Sequence, residues 1–194
     1  NEAIGAGAVS LADYDAVVWF LGDESTVDET FSLAEQALVT QYLQQGGSLF
    51  ASGNEIGWDL DNRGGISDRA FYNNYLRADF VTDNAGVYTV VGEIGGGVFG
   101  TQSFGYGGPG AVYRPGFPDG INPSGSTPVL AYESSTRTAG VYYAGTFTPD
   151  TLPGRVLTLG FAVETINTQA ERRAFMARVM AALLPNGDTS AGES

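Results

Sequence analysis

The sequence has no cysteine, no histidine and no lysine. Without cysteine there is no disulfide, no thiolate nucleophile and no thiolate-held metal, and the redox compartment leaves no trace in the chain. Without histidine every Ser–His or Cys–His relay is excluded, as are zinc sites built on imidazole. Carboxylates, tyrosine and arginine are what remain for acid–base work. Long apolar runs are missing as well. None approaches the roughly 20 residues that a membrane-spanning helix needs, and the opening NEAIGAGAVS has neither a basic nor an apolar leader region. A soluble chain is expected, with prior removal of a leader left open.

Positive charge is scarce. Nine basic residues, all arginine, stand against 22 acidic ones, for a net charge of -13. Such a surface repels phosphate backbones and anionic lipid, so neither nucleic acid nor a membrane is expected as a partner. Cationic ligands and divalent metals suit it better. It also suits a protein kept soluble in high salt, where self-repulsion is screened, although a coding bias toward arginine explains part of the pattern more plainly. The hydrophobic share of 43% is ordinary for a globular protein and argues against general disorder. A length of 194 residues suits one large domain and is short for two.

Residues 1–10 are small and Gly/Ala-rich, as in a linker, and residues 186–194 read as a disordered tail. Between them, residues 11–185 form a single α/β domain. Ala16 to Leu21 is apolar throughout, the composition of a strand covered on both faces near the middle of a sheet. Ser32 and Glu35 then form a capping box. Ala34, Ala37, Leu38 and Tyr42 recur on one helical face, with Val39 and Leu43 at its shoulder, and Gly46-Gly47 stops the helix. Ser48 to Ser52 reads as the next strand. Strand, helix and strand in this order spell a parallel β-α-β unit.

A second helix is expected from about Ser67 to Ala78, and a strand from Val87 to Ile94. Residues 95–125 read as a long Gly- and aromatic-rich insertion with a short strand or two. Thr127 to Glu133, Gly140 to Phe147 and Arg155 to Val163 follow at hairpin spacing, which makes this part of the sheet mixed or antiparallel. Thr168 and Glu171 cap a last helix lined by Phe175, Met176, Val179, Met180 and Leu183.

The segments YDAVVWFLGDES, QYLQQGGSLFASGNEIG and LTLGFAVETI…RRAFMARVMAALL resemble the class I glutamine amidotransferase-like superfamily. The likeness is to its non-amidotransferase relatives: trehalose-utilisation-like proteins, the trimerisation domain of some β-galactosidases, and domains appended to secreted bacterial peptidases and polysaccharide lyases. It covers residues 11–65 and 155–185. The resemblance implies a flavodoxin-like three-layer sandwich around a mostly parallel sheet. In active amidotransferases a cysteine stands on the turn after the second strand, where this chain has Ser52-Gly53-Asn54. In the trehalose-utilisation-like group a histidine falls at or near Gly53. Neither is present, so glutaminase and Cys-peptidase chemistry do not carry over.

Three groups of candidate site residues remain. Ligands of such sheets sit beyond the carboxyl ends of the strands, and those ends carry Asp23 and Glu24, Asn54 and Glu55, and Glu164, with Trp58 close by in sequence. If the three strands are adjacent, the carboxylates converge. They could hold a hard cation such as Ca²⁺ or act as acid and base on a glycosidic bond. Equally, they cap helices and accept amide hydrogen bonds. The second group is Asp59, Asp61 and Asn62, whose alternating oxygens and following Gly64 suggest a calcium loop. Ala70 stands where an EF-hand would place its bidentate glutamate. The third is Phe99, Phe104, Tyr106, Tyr113 and Phe117, which either stack on sugar rings or form the private core of the insertion. Gly95-Gly96-Gly97 is no phosphate cradle, since no lysine and no helix follow it.

The expectation is a non-catalytic accessory module of a larger secreted or surface protein, acting in binding or domain packing, with other domains of its precursor, and a glycan, as partners. A carboxylate-dependent hydrolase working through Glu24, Glu55 and Glu164 is the alternative, and an oligomerisation module a third reading. No cofactor other than Ca²⁺ is expected.

Overall fold

Seven uncharged residues, Ala16–Gly22, form strand β1, and a capped helix α1 covers Leu33–Gln44. The computed structural model describes residues 7–93 and 97–185. The linker expected over residues 1–10 therefore lies partly outside the described residues, as do Ile94, Gly95, Gly96 and the tail over residues 186–194.

The α1 capping box is complete: Ser32 N–H donates to Glu35 Oε2 at 2.8 Å and Glu35 N–H donates to Ser32 Oγ at 3.4 Å. Its buried face is rotated from the expected one. Glu35, Gln36, Val39, Tyr42 and Leu43 are buried, whereas Ala34 and Ala37 are exposed. Two polar side chains can lie inward because each is paired. Glu35 belongs to the cap, and the Gln36 amide donates to Phe31 O and Asp68 Oδ1. Gly46, at φ 91°, turns the chain out of the helix. Gly47 follows because any Cβ there would enter the Tyr42 ring, which must lie flat so that its hydroxyl can pair with Ser48 N–H and Ser48 O at the start of β2, Ser48–Gly53.

A π-helical turn, Trp58–Arg63, and helix α2, Ile66–Asn74, come next. Strands β3 (Ala78–Thr82), β4 (Thr89–Gly92), β5 (Ser103–Gly105), β6 (Gly120–Pro123), β7 (Thr127–Tyr132), β8 (Thr138–Thr146) and β9 (Pro153–Leu159) then build most of the sheet. A 3₁₀ turn, Val163–Thr165, leads into the closing helix α3, Gln169–Leu183, whose Thr168–Glu171 box is also complete.

Among the described residues nine strands form one sheet in the order β1-β2-β9-β8-β7-β4-β5, with β6 joining both β3 and β8. Only β1–β2 and β2–β9 run parallel. Every other pairing is antiparallel, and the sheet curls into a half-barrel. This corrects the expected flavodoxin-like three-layer sandwich with a mostly parallel centre. The physical reason lies in the connections. β7, β8 and β9 are joined by short turns containing Ser134 and Asp150 at positive φ, and strands linked so closely can only run antiparallel, whereas a parallel neighbour needs a long crossover.

A second correction concerns β1. Expected near the middle, it is an edge strand that among the described residues pairs with β2 alone, because β9 takes the other side of β2.

Alternation along β2 and β9 feeds two cores on opposite faces. Leu49, Ala51 and Val156 face α1 and α2, where Tyr42, Leu43, Phe71 and Tyr72 pack around Trp19. Phe50, Leu157 and Leu159 face α3, where Phe175, Val179 and Leu183 meet Phe99, Phe104 and Tyr106 of the insertion. The insertion therefore spends three of its five singled-out aromatics on the core. Phe117 is exposed and Tyr113 half-buried.

Candidate functional site

Because β1, β2 and β9 are adjacent and parallel, their carboxyl ends open at one place, and the loops after them meet there. Asn54, on the bend after β2, is the link. Its Nδ2 donates to Asp23 Oδ1 in the loop after β1. Its Oδ1 accepts from Ala162 N–H, in the loop after β9, at 2.9 Å. Its backbone N–H donates to Gly22 O at 3.0 Å, and its carbonyl accepts from Asp119 N–H at 3.0 Å. One buried amide thus ties together three strand ends and the insertion. Ser52 adds a second tie below it, donating to Phe161 O at 3.0 Å and accepting from Val163 N–H at 2.8 Å.

The bend leaves no room for a side chain at position 53. A Cβ on Gly53 would lie 2.9 Å from Leu21 Cβ and 3.1 Å from Ile56 Cγ1. Gly53→Ala should therefore destabilise the domain by about 1–3 kcal/mol through overpacking. Urea unfolding checks this, and an unchanged midpoint would show that the bend has slack.

Glu164 sits in the 3₁₀ turn after β9 and is reached by the insertion. The Tyr113 hydroxyl donates to Glu164 Oε1 at 2.6 Å, while Oε2 is buried with no hydrogen-bond partner among the described residues. Burial, the bond to Glu164 and that residue's charge all raise the Tyr113 pKa, so the phenol stays a donor. Gly22, at φ 59°, makes room for the pair, since a Cβ there would come within 3.3 Å of Tyr113 Oη and 3.4 Å of Glu164 Oε1.

The other predicted residues diverge. Glu24 shares no side-chain hydrogen bond with this junction among the described residues; burial raises its carboxyl pKa, and the charges of Asp28 and Glu35 add to the rise. Glu55 is half-buried, and its carbonyl accepts from Asp59 N–H at 2.9 Å. Trp58 packs edge-on to Phe80, ring centres 6.0 Å apart, while its backbone N–H serves Asp119. Asp59 Oδ2 accepts from Thr30 N–H at 2.9 Å and from Thr30 Oγ1 at 2.7 Å. Asp61 Oδ2 accepts from Phe80 N–H at 2.8 Å. These two carboxylates, with exposed Asn62 between Asp61 and Arg63, lie on the π-helical turn and hold different segments. Among the described residues no group of three or more acids stands together in a way that could hold a metal ion.

Sequence reasoning missed Asp119. It is buried, and its Oδ2 accepts from Gly57 N–H at 2.8 Å and Trp58 N–H at 3.1 Å, capping from a distance the helical segment that follows the bend. Its Oδ1 has no partner. Burial pushes its pKa well up, the two amide bonds oppose the shift, and the charges of Glu55 and Asp83 add to it. The only available signal was Pro118-Asp119-Gly120, which reads as a turn. Also unforeseen is a cavity of roughly 360 Å³ beside the π-helical turn, lined by Thr26, Glu29, Phe31, Asp59, Arg63 and Asp68 among others. Phe31 on its wall is almost fully buried and offers no ring face for sugar stacking.

No family model matches the chain, and no curated protein matches it. Solved structures share its fold. The exo-β-1,4-mannosidase Op5Man5 from Opitutaceae bacterium strain TAV5 is similar at TM-score 0.54 and 14% identity, over 90% of this chain and 26% of that one. The mmIFT52 N-terminal domain is similar at TM-score 0.58 and 16% identity, over 92% and 80%. A polyextremophilic β-galactosidase from the Antarctic haloarchaeon Halorubrum lacusprofundi aligns at TM-score 0.49 and 13% identity, over 91% and 23%. The chain thus spans about a quarter of each glycoside hydrolase. At the level of fold alone, the match to part of the mannosidase fits the expectation of a domain of the kind appended to hydrolases. The matches do not support membership of the amidotransferase-like superfamily, and that expectation is corrected.

Proposed function

We propose that this chain is a non-catalytic accessory module, acting in binding or domain packing, within a larger glycan-active protein that is secreted or held at a cell surface. The observation that carries the reading is the state of the bend after β2. Position 53 is closed to side chains, and Asn54 is occupied on both sides by Asp23 and Ala162. At that end of the sheet Ser52, Asn54 and Asp23 are engaged in holding loops together. The fold shared with part of an exo-β-1,4-mannosidase supports the glycan-active context. No helix among the described residues is long and apolar enough to cross a membrane.

One feature favours the alternative of a carboxylate-dependent hydrolase: the unpartnered Oε2 of Glu164 beside a tyrosine donor. Glu164→Gln separates the two readings. Under the accessory reading the wild type releases no sugar from manno- or galacto-oligosaccharides, and the variant is destabilised by about 1–2 kcal/mol through the weakened Tyr113 bond. Turnover by the wild type that the variant loses at unchanged stability would overturn it.

A further inference from the structure

β1 presents an unusual edge. Its seven residues include no charge and no proline, although these are the features that normally keep exposed edges from pairing. One face is in the core, with Trp19 and Leu21 buried. On the other face Val18 is 38% and Phe20 53% exposed. The Phe20 ring stands edge-on to Phe50, centres 6.1 Å apart, while α3 rests on β2 and β9. A parallel strand of this composition has the make-up of one covered on both faces, and here the Val18 and Phe20 face is left partly open.

Charge decides what the neighbour is. Exposed Asp13 and Asp15 precede the strand, and Asp23 and Glu24 follow it. A second copy of the chain is disfavoured in either direction. Antiparallel pairing centred on Trp19 sets Asp15 of each copy opposite Asp23 of the other, and parallel pairing in register sets each acid against itself. Like charges directly opposite destabilise a strand pair, and each copy also carries a net charge of -13. A strand with basic residues at both ends meets no such penalty.

We propose that β1 is the docking edge for a β-strand of a partner domain, whose apolar residues cover Val18 and Phe20 and whose basic residues at both ends meet Asp13, Asp15, Asp23 and Glu24. Main-chain hydrogen bonds along the open edge supply affinity, the flanking charges set register, and alternate side chains give specificity. The inference goes beyond the accessory reading, because the edge would need the same cover if the strand-end loops did chemistry.

The test uses two labelled nonapeptides with an alternating Thr/Val/Ile centre, one with two lysines at each end and the other with two glutamates. Fluorescence anisotropy with the whole chain should show saturable binding of the lysine peptide, tighter than the glutamate peptide by at least roughly tenfold and weakened by salt. Amide exchange in β1 should slow on binding. Phe20→Ser and Val18→Thr should each weaken binding severalfold while leaving the melting temperature within a few degrees, since both side chains are exposed. Equal binding of the two peptides, or binding of neither, overturns the proposal. So does light scattering that shows a dimer which Phe20→Ser dissociates, because the occupant is then a second copy.

Discussion

Asn54→Leu should destabilise the domain by about 3 kcal/mol, a fall in Tm of roughly 6–12 °C for a chain of this size. Leucine matches asparagine in branching and heavy-atom count but is bulkier, so no cavity opens and the loss combines the missing hydrogen bonds with some overpacking at this buried position. Asp23 loses its amide donor, and Ala162 N–H, in a fully buried residue, loses its acceptor. A buried amide left unpaired costs about 1–3 kcal/mol by itself. Asn54→Asp adds a diagnostic. It sets a carboxylate against Asp23, so its destabilisation should be larger at pH 7 than at pH 4. Denaturant unfolding at the two pH values checks both expectations, and a leucine variant within 0.5 kcal/mol of wild type would show that the three strand ends hold together without this amide.

The second large effect is at Asp119. Asp119→Ala removes the acceptor for Gly57 and Trp58 N–H and should cost about 2–3 kcal/mol, at the upper end for a helix cap because the site is buried. The pH dependence has a definite sign. Burial raises the native pKa of Asp119 above the unfolded value of about 3.9. Between the two values the native state holds a proton that the unfolded state has released, so stability declines as pH rises through that window. Burial also raises Asp79 and Glu24, which contribute in the same direction, more weakly because both are only partly buried. Wild-type stability should therefore fall from about pH 4 toward neutrality, and Asp119→Asn should flatten the slope. Thermal unfolding across pH 4–8 measures it, and identical slopes in the two proteins would mean that Asp119 ionises at its ordinary pKa in the fold.

Much of this molecule could be read locally. Both capping boxes form as the spacings Ser32/Glu35 and Thr168/Glu171 require. β2 and the last three strands lie within a few residues of their expected places. The aromatics of the insertion divide between core and surface in a way that composition alone could not specify. Phe99 and Phe104 reach Phe175, with ring centres 4.4 and 5.0 Å away, whereas Phe117 stays outside. At the site, the adjacency of β1, β2 and β9 brings Asp23, Asn54 and Glu164 to one junction.

The sequence by itself determined where the three α-helices start and where most strands lie, but not the π-helical turn Trp58–Arg63 or strand β3, which begins at Ala78 inside the expected second helix. The signals it did carry lie within about four residues and report nearest-neighbour geometry. It also determined the chemistry that is absent, since no fold can supply an imidazole or a thiol that the chain lacks. Only the tertiary structure decided strand order, the position of β1 at an edge, and the direction of most of the sheet. Those depend on which distant segments win each strand's second side. Asp119 shows the same division: it caps a turn 62 residues away, a pairing between segments whose local patterns carry no mark of each other.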